Sequence, residues 1–290
     1  MNTDLALWEF GDGGAMVRSH VSQPASARLR VARPSVADVL AKWGPWVCCM
    51  ALLGVCEDGI PLAARFFDSR RNGHYVFFAD DAAAQTALVE PVLYSVVVQG
   101  RKYNHWMREG DGYGPERWSF AIFSSNAVAW NGRVREAPHC GGVYAPASDA
   151  GRGVALSLRG VVERRLALAA QGDAHQVPEP MMLVVLHDIG SFWASLPADV
   201  QGAWLAVAQH GRRAGVFLLT TVRYGDVGLL PKAFLRHHRM RLFGRSLGRL
   251  PDAAIFRDVM RAGADLASLP DGMALVKTEG TWMRYMTPSL

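Results

Sequence analysis

The chain has 290 residues, half of them hydrophobic and a fifth charged, which fits a globular fold and excludes a disordered chain. Its longest apolar run, Pro45 to Cys56, has 12 residues, where a membrane-spanning helix needs about 20. The formal net charge of +5 permits an acidic partner without requiring one.

The opening MNTDLALWEF carries two acids and no Lys or Arg, which argues against a secretory signal. Cys48, Cys49, Cys56 and Cys140 match neither zinc spacing nor a dense disulfide framework, so inert thiols in a reducing cytoplasm are expected. Residues 1–34 read as a leading segment, with AMVRSHV as a strand and SQPAS as a loop. Ser35 with Asp38 approximates a capping box for a helix over Val36 to Trp43. WVCCMALLGV, the turn Glu57-Asp58-Gly59 and IPLAARFFD predict a hairpin. His74 to Phe78 (HYVFF) shows no alternation, as strands buried on both faces do. A helix is expected over Ala84 to Gln99, with Pro91 tolerable only near its first turns or at a kink. Further buried strands follow at Trp118 to Phe123, Met182 to Leu186, Val216 to Val222 and Met240 to Phe243. Helices are expected over Leu156 to Ala170 and Ala198 to His210, and Ala274 to Lys277 with Trp282 to Met286 form a closing pair. Buried strands alternating with helices predict an α/β fold around a mostly parallel sheet, with ligands at the carboxyl ends of the strands.

The strand, tight loop of small residues and helix at residues 74–99 frame a phosphate-binding loop, G-x-x-x-x-G-K-[ST]. On that frame the chain reads Ala79-Asp80-Asp81-Ala82-Ala83-Ala84-Gln85-Thr86, and Thr86 alone matches. Other landmarks fall in order. GVCEDGIPLAARFFD precedes the loop, EAPHCGGVY follows the second buried strand, and PMMLVVLHDIGSF stands where a Walker B strand would. AQHGRRAGVFLLTTVRYGDV and PDGMALVKTEG complete the series. Together these resemble the FtsK/SpoIIIE-type motor domain, a RecA-like P-loop ATPase, and in particular the tandem ATPase modules of type VII secretion. The resemblance covers residues 35–290 and implies a RecA-like P-loop fold with a mostly parallel central sheet flanked by helices. The bland alternative is that HYVFFADD is the strand and turn of an unrelated α/β domain.

The departures from that pattern point away from hydrolysis. Loop glycines supply left-handed backbone angles, so that N–H groups converge on phosphate. Ala79, Ala82 and Ala84 stand in their places, and alanine pays about 1–2 kcal/mol for such angles. Gln85 replaces the lysine, exchanging a charge-assisted hydrogen bond of about 1.5–3 kcal/mol for a neutral one of about 0.5–1.5. Asp80 and Asp81 add negative charge near a triphosphate, at roughly 4 kcal/mol per close pair in an effective dielectric of 20. The resemblance places Asp188 at the Walker B aspartate, Ile189 where a water-orienting glutamate is usual, and Arg223 near the polar sensor. Thr86 and Asp188 alone would hold a metal weakly. No metal site and no cofactor are expected, with ATP and Mg²⁺ disfavoured.

The expectation is therefore an inactive ATPase-like domain serving a translocation or secretion assembly, partnered by an active FtsK-like ATPase in homo- or hetero-oligomers. Two alternatives are a DNA-translocating ATPase with a non-standard loop, and a basic nucleic-acid-binding module. For the last, Lys232, Arg236, Arg239, Arg241, Arg245 and Arg249 lie in a stretch, Leu229 to Pro251, that has no acid until Asp252; they would contact nucleic acid or an acidic protein. Arg212 and Arg213 match a family position that could supply an arginine to a neighbouring subunit, or could pair with Asp199. Adjacent His237 and His238 diverge, and His139-Cys140 lacks a second ligand pair, so neither makes a metal site.

Overall fold

The computed structural model describes residues 8–10, 16–18, 33–43, 51–64, 73–102, 118–171, 180–278 and 280–290. Its strands are β1 (Trp8–Phe10), β2 (Met16–Arg18), β3 (Ala51–Cys56), β4 (Pro61–Ala64), β5 (His74–Phe78), β6 (Trp118–Phe123), β7 (Cys140–Tyr144), β8 (Met181–Leu186), β9 (Val216–Val222), β10 (His238–Phe243), β11 (Met273–Thr278) and β12 (Thr281–Met286). Its α-helices are α1 (Val36–Trp43), α2 (Ala82–Lys102), α3 (Gly132–Arg135), α4 (Asp149–Ala169), α5 (Ala198–His210), α6 (Lys232–Leu235) and α7 (Arg257–Arg261). Cys48 and Cys49, the first part of the expected hairpin and residues 172–179 lie outside the described residues.

Ten strands form one sheet in the order β4-β3-β12-β11-β10-β5-β9-β8-β6-β7. From β10 to β7 every pairing is parallel; from β10 to β4 every pairing is antiparallel. The parallel half reads as continuous apolar runs because helices cover both of its faces. Tyr75, Phe77, Leu183, Val185, Phe217 and Leu219 point to one side and meet Leu88, Val92, Leu93 and Val96 of α2. Val76, Phe78, Val184, Leu186, Val216 and Leu218 point to the other and meet Leu158 of α4 and Val200, Trp204 and Val207 of α5. Each large apolar side chain so buried contributes about 1.5–3 kcal/mol.

Helix α1 falls where the sequence puts it. Ser35 and Asp38 form the reciprocal box, with Asp38 N–H donating to Ser35 Oγ at 3.1 Å and Ser35 N–H to Asp38 Oδ2 at 3.2 Å. Two helices start earlier than expected. α4 begins at Asp149 because Ser148 caps it, its Oγ accepting from Gly151 N–H at 3.0 Å. Gly151 fits there because a Cβ would stand 2.3 Å from the Ala145 carbonyl oxygen. Ser148→Ala is expected to cost about 1 kcal/mol, read as a shifted urea midpoint with an unchanged slope. α2 begins at Ala82 rather than Ala84 and extends to Lys102, with Pro91 well inside it rather than near its first turns. The missing proline N–H leaves the Ala87 carbonyl without its helical donor.

Among the described residues no helix is long and apolar enough to cross a membrane. Cys56 and Cys140 are free thiols. Burial pushes the Cys56 thiol up to about 12, which keeps it protonated and unreactive.

Candidate functional site

The carboxyl ends of β5, β9, β8 and β6 meet around the segment expected to be a phosphate loop. That segment is largely helix. After β5 only Ala79, Asp80 and Asp81 precede α2, so Ala82, Ala83, Ala84 and Gln85 form its first turn. Alanine is the best helix former, and aspartate is among the best N-caps. Asp81 takes that role: its Oδ1 accepts from Ala84 N–H at 2.7 Å, and its carbonyl from Gln85 N–H at 3.0 Å. Among the described residues Asp188 is the only non-glycine with positive φ. Residues 79–86 therefore lack the left-handed turns that would aim several N–H groups at one anion. The sequence reading places a tight loop of small residues before a helix starting at Ala84; the helix instead begins at Ala82, within that loop.

The polar groups of the site are bonded to one another. Gln85, fully buried, donates from Nε2 to the Ala79 carbonyl at 3.0 Å. Its Oε1 accepts from the Thr221 hydroxyl, and Thr221 Oγ1 accepts from Asp188 N–H at 2.7 Å. This chain of bonds ties α2 to the ends of β5, β9 and β8. Thr86 Oγ1 donates back to the Ala82 carbonyl at 2.9 Å and lies 3.0 Å from His187 Nε2. His187 Nδ1 stands 3.2 Å from Ser124 Oγ at the end of β6. Burial holds the His187 imidazole below its ordinary range, keeping it neutral. The Trp130 ring packs edge-on against it, centroids 5.2 Å apart, and is itself buried. Asn131 N–H donates to Glu90 Oε1 of α2, which fixes this cover in place.

The two acidic groups are engaged as well. Asp80 Oδ2 accepts from Leu247 N–H and, at 3.3 Å, from Ser246 Oγ, fastening the loop after β10 across the end of β5. Asp188 Oδ2 pairs with the Arg223 guanidinium at 2.6 Å. Asp188 is 3 % exposed and sits at φ 53° and ψ 48°, a left-handed conformation worth about 1–3 kcal/mol of strain in a residue other than glycine. Among the described residues its Oδ1 has no hydrogen-bond partner. Ile189 is fully buried in the core with residues of α4 and α5. Removing the guanidinium in Arg223→Ala would leave the Asp188 carboxylate buried and uncompensated. The half-exposed arginine tempers the loss, expected at about 2 kcal/mol. Asp188→Asn combined with it should cost less than the sum of the two, measured by a double-mutant cycle in urea.

Mg²⁺ and a nucleoside triphosphate do not fit these residues. Thr86, Gln85 and Asp80 are engaged by protein partners, Asp188 keeps only Oδ1 unbonded beside its pair with Arg223, and no group of three or more His, Cys, Asp or Glu side chains gathers among the described residues. The sequence reading missed His187, Ser124, Thr221, Ser246 and Trp130. The readable signal was the polar residues that end otherwise apolar strands, VFLLTT at β9 and MLVVLH at β8.

Other expected residues lie elsewhere. Arg212 and Arg213 precede β9 at the opposite, amino end of the sheet. Asp199 pairs with Arg152 at 3.7 Å rather than with either of them. The six basic residues of the 229–251 stretch are divided. Lys232 and Arg236 flank the short α6, and Arg239 and Arg241 lie on β10, where Arg239 is exposed and Arg241 partly covered. Arg245 pairs with Asp271 at 2.7 Å beyond the strand's carboxyl end, where Arg249 also stands.

The chain has the fold of FtsK/SpoIIIE-type P-loop ATPase domains. It superposes on the cytoplasmic domain of the Thermomonospora curvata type VII secretion ATPase EccC with a TM-score of 0.62 and 15 % identity, over 89 % of this chain and 32 % of that one. The cytoplasmic domain of EssC gives 0.61 and 14 %, over 93 % and 50 %. The pCW3 conjugation coupling protein TcpA, solved as a monomer with ATPγS, gives 0.60 and 12 %, over 83 % and 66 %. The chain thus spans about a third to a half of the secretion structures it matches. No protein-family model and no curated protein matches it.

Proposed function

We propose that this chain is an ATPase-fold domain that neither binds nor hydrolyses nucleotide and acts as a structural or regulatory component of a translocation or secretion assembly. The observation that carries the reading is the Asp188–Thr221–Gln85–Ala79 chain of hydrogen bonds. It lies at the end of the sheet where a phosphate loop would stand, with the Gln85 and Thr221 side chains bonded to each other and to the backbone of Ala79 and Asp188. An ATPase must desolvate and hold three phosphates and a cation there. Here Ala82, Ala83 and Ala84 belong to the first turn of α2, Gln85 offers no charge, Asp80 and Arg223 are bound to protein groups, and Ile189 cannot orient a water. A domain in this state contributes surface rather than turnover. Its structural neighbours are parts of secretion and conjugation ATPases, which supports a place beside an active FtsK-like ATPase in a cytoplasmic homo- or hetero-oligomer.

The test is phosphate release by the purified chain across a magnesium titration. Release at the background rate at every magnesium concentration is expected. Turnover matching that of an active FtsK-like ATPase would overturn the reading.

A further inference from the structure

We propose that the amino end of the central sheet is a docking face for an acidic protein segment. Three consecutive parallel strands in space, β10, β5 and β9, begin there. Basic side chains collect from the segments that lead into them. Arg212 and Arg213 come from the turn before β9, Arg236 and His237 from the junction of α6 with β10, Arg239 from β10 itself, and His210 from the end of α5. The groups feel one another. Burial first, then the charges of Arg239 and Arg213, hold the Arg212 guanidinium below its usual value, and the His237 imidazole lies below its usual range through partial burial and the charges of Arg236, His210 and Arg212.

Two observations separate this face from an ordinary solvated surface. Elsewhere five surface arginines are paired, Arg135 with Glu136, Arg152 with Asp199, Arg159 with Glu163, Arg245 with Asp271 and Arg284 with Glu57, while the exposed Arg133, Arg164, Arg249, Arg257 and Arg261, without an ion pair among the described residues, are spread over α3, α4, the segment after β10 and α7. Arg213, Arg236 and Arg239 are exposed, and none has a carboxylate within ion-pair distance among the described residues. The scaffold beneath them is also fixed. His74, fully buried, donates from Nε2 to the Ala208 carbonyl at 2.9 Å and accepts at Nδ1 from Leu218 N–H at 2.9 Å. His238 is held by the Phe234 carbonyl at 3.1 Å and the Thr220 hydroxyl at 2.9 Å. These bonds lock α5 and α6 to β9 and β10. Gly73 lets the Arg239 stem lie against the backbone, where a Cβ would come within 2.6 Å of its Cγ. The guanidinium groups are thereby presented in a preorganised array, which lowers the ordering cost of binding.

An acidic protein fits this array better than nucleic acid does. With neighbouring strands about 4.8 Å apart, the three strand starts span only about 10 Å. That matches carboxylates two turns apart on a helix, which rise about 10 Å. Proteins that track a nucleic-acid backbone combine a long basic groove with aromatic stacking surfaces. No aromatic side chain is among the exposed large hydrophobic residues described.

The test uses the full chain and a fluorescent oligo-glutamate peptide, followed by anisotropy at low and high salt. Arg213→Glu/Arg236→Glu/Arg239→Glu is compared with Arg135→Glu/Arg159→Glu/Arg284→Glu, which makes the same change in arginine charge away from this face. Circular dichroism confirms that both fold. Salt-sensitive binding is expected, weakened about tenfold or more by the first triple variant and little by the second. Equal weakening by both variants, or no binding by the parent chain, would overturn the proposal. So would a duplex DNA of matched charge that binds more tightly than the peptide and loses that binding in the first variant, since the face would then belong to nucleic acid. The face lies at the far end of the sheet from Gln85, so either reading can fail without the other.

Discussion

Gln85→Leu is expected to lower the stability of the fold by about 3 kcal/mol, although the two side chains are similar in size. Gln85 is fully buried and joins α2 to β5 and β9 through both of its polar atoms. The leucine would leave the Ala79 carbonyl and the Thr221 hydroxyl without that partner inside the protein, at about 1–3 kcal/mol each. Thr221 still accepts from Asp188 N–H, which keeps its share near the lower end. Thr221→Val added to Gln85→Leu should cost less than the sum of the single changes, because one removes the partner the other needs. Urea unfolding of the four proteins measures this. A single-variant loss below about 0.5 kcal/mol, the size expected of an uninvolved surface position, would mean that the bond chain is not what holds the end of the sheet. Gln85→Lys alone is not expected to recover nucleotide binding, since Ala82, Ala83 and Ala84 would still form the first turn of α2.

The sequence carries the frame of this molecule more fully than its site. HYVFF, WSFAIF and VFLLTTV are strands at the residues where their unbroken apolar character puts them, because both faces of the parallel half are covered. Ser35 and Asp38 mark the start of α1 because a capping box is a local signal three residues long. The site was legible in place but not in form. Reading residues 79–86 against a glycine-rich template gave the positions, while the competing local signal, an aspartate followed by three alanines, decides the backbone. The distant partners of Gln85, Thr86 and Asp80 come from residues 101 to 167 positions away, at Thr221, His187, Ser246 and Leu247. No local pattern encodes such pairings. The basic residues show the same limit. The run from Lys232 to Arg249 is contiguous in sequence, but the sheet divides it, and Arg236 and Arg239 instead join Arg212 and Arg213 from another loop.

Stability should also fall by about 3 kcal/mol between pH 7.5 and pH 5.5, on account of two buried histidines. Burial holds the His74 imidazole down at about 4 and the His238 imidazole well below its ordinary value. Both are neutral in the folded protein; the His74 bonds require it, since Nδ1 accepts from Leu218 N–H while Nε2 donates to the Ala208 carbonyl, and for His238 it follows from complete burial without a carboxylate partner among the described residues. Above pH 6.5 both states are neutral and the term vanishes. Below pH 6.5 the unfolded chain takes up protons that the folded one refuses, so stability drops by up to about 1.4 kcal/mol per pH unit for each histidine. For His74 the decline ends near its folded value of about 4. Replacing His238 by Asn should roughly halve the slope while lowering stability at every pH. A flat unfolding free energy over this interval would show that neither histidine is protected as its bonds imply.

The central claim is that the end of the sheet has bonded Gln85, Thr221, Asp80 and Arg223 to protein partners and so does not hold a nucleotide. Isothermal titration of the chain with MgATP tests it without reliance on turnover. No saturable heat is expected up to millimolar nucleotide, with Gln85, Asp80 and Asp188 kept on their protein partners. A stoichiometric isotherm, abolished when Gln85 or Asp188 is replaced, would contradict the account.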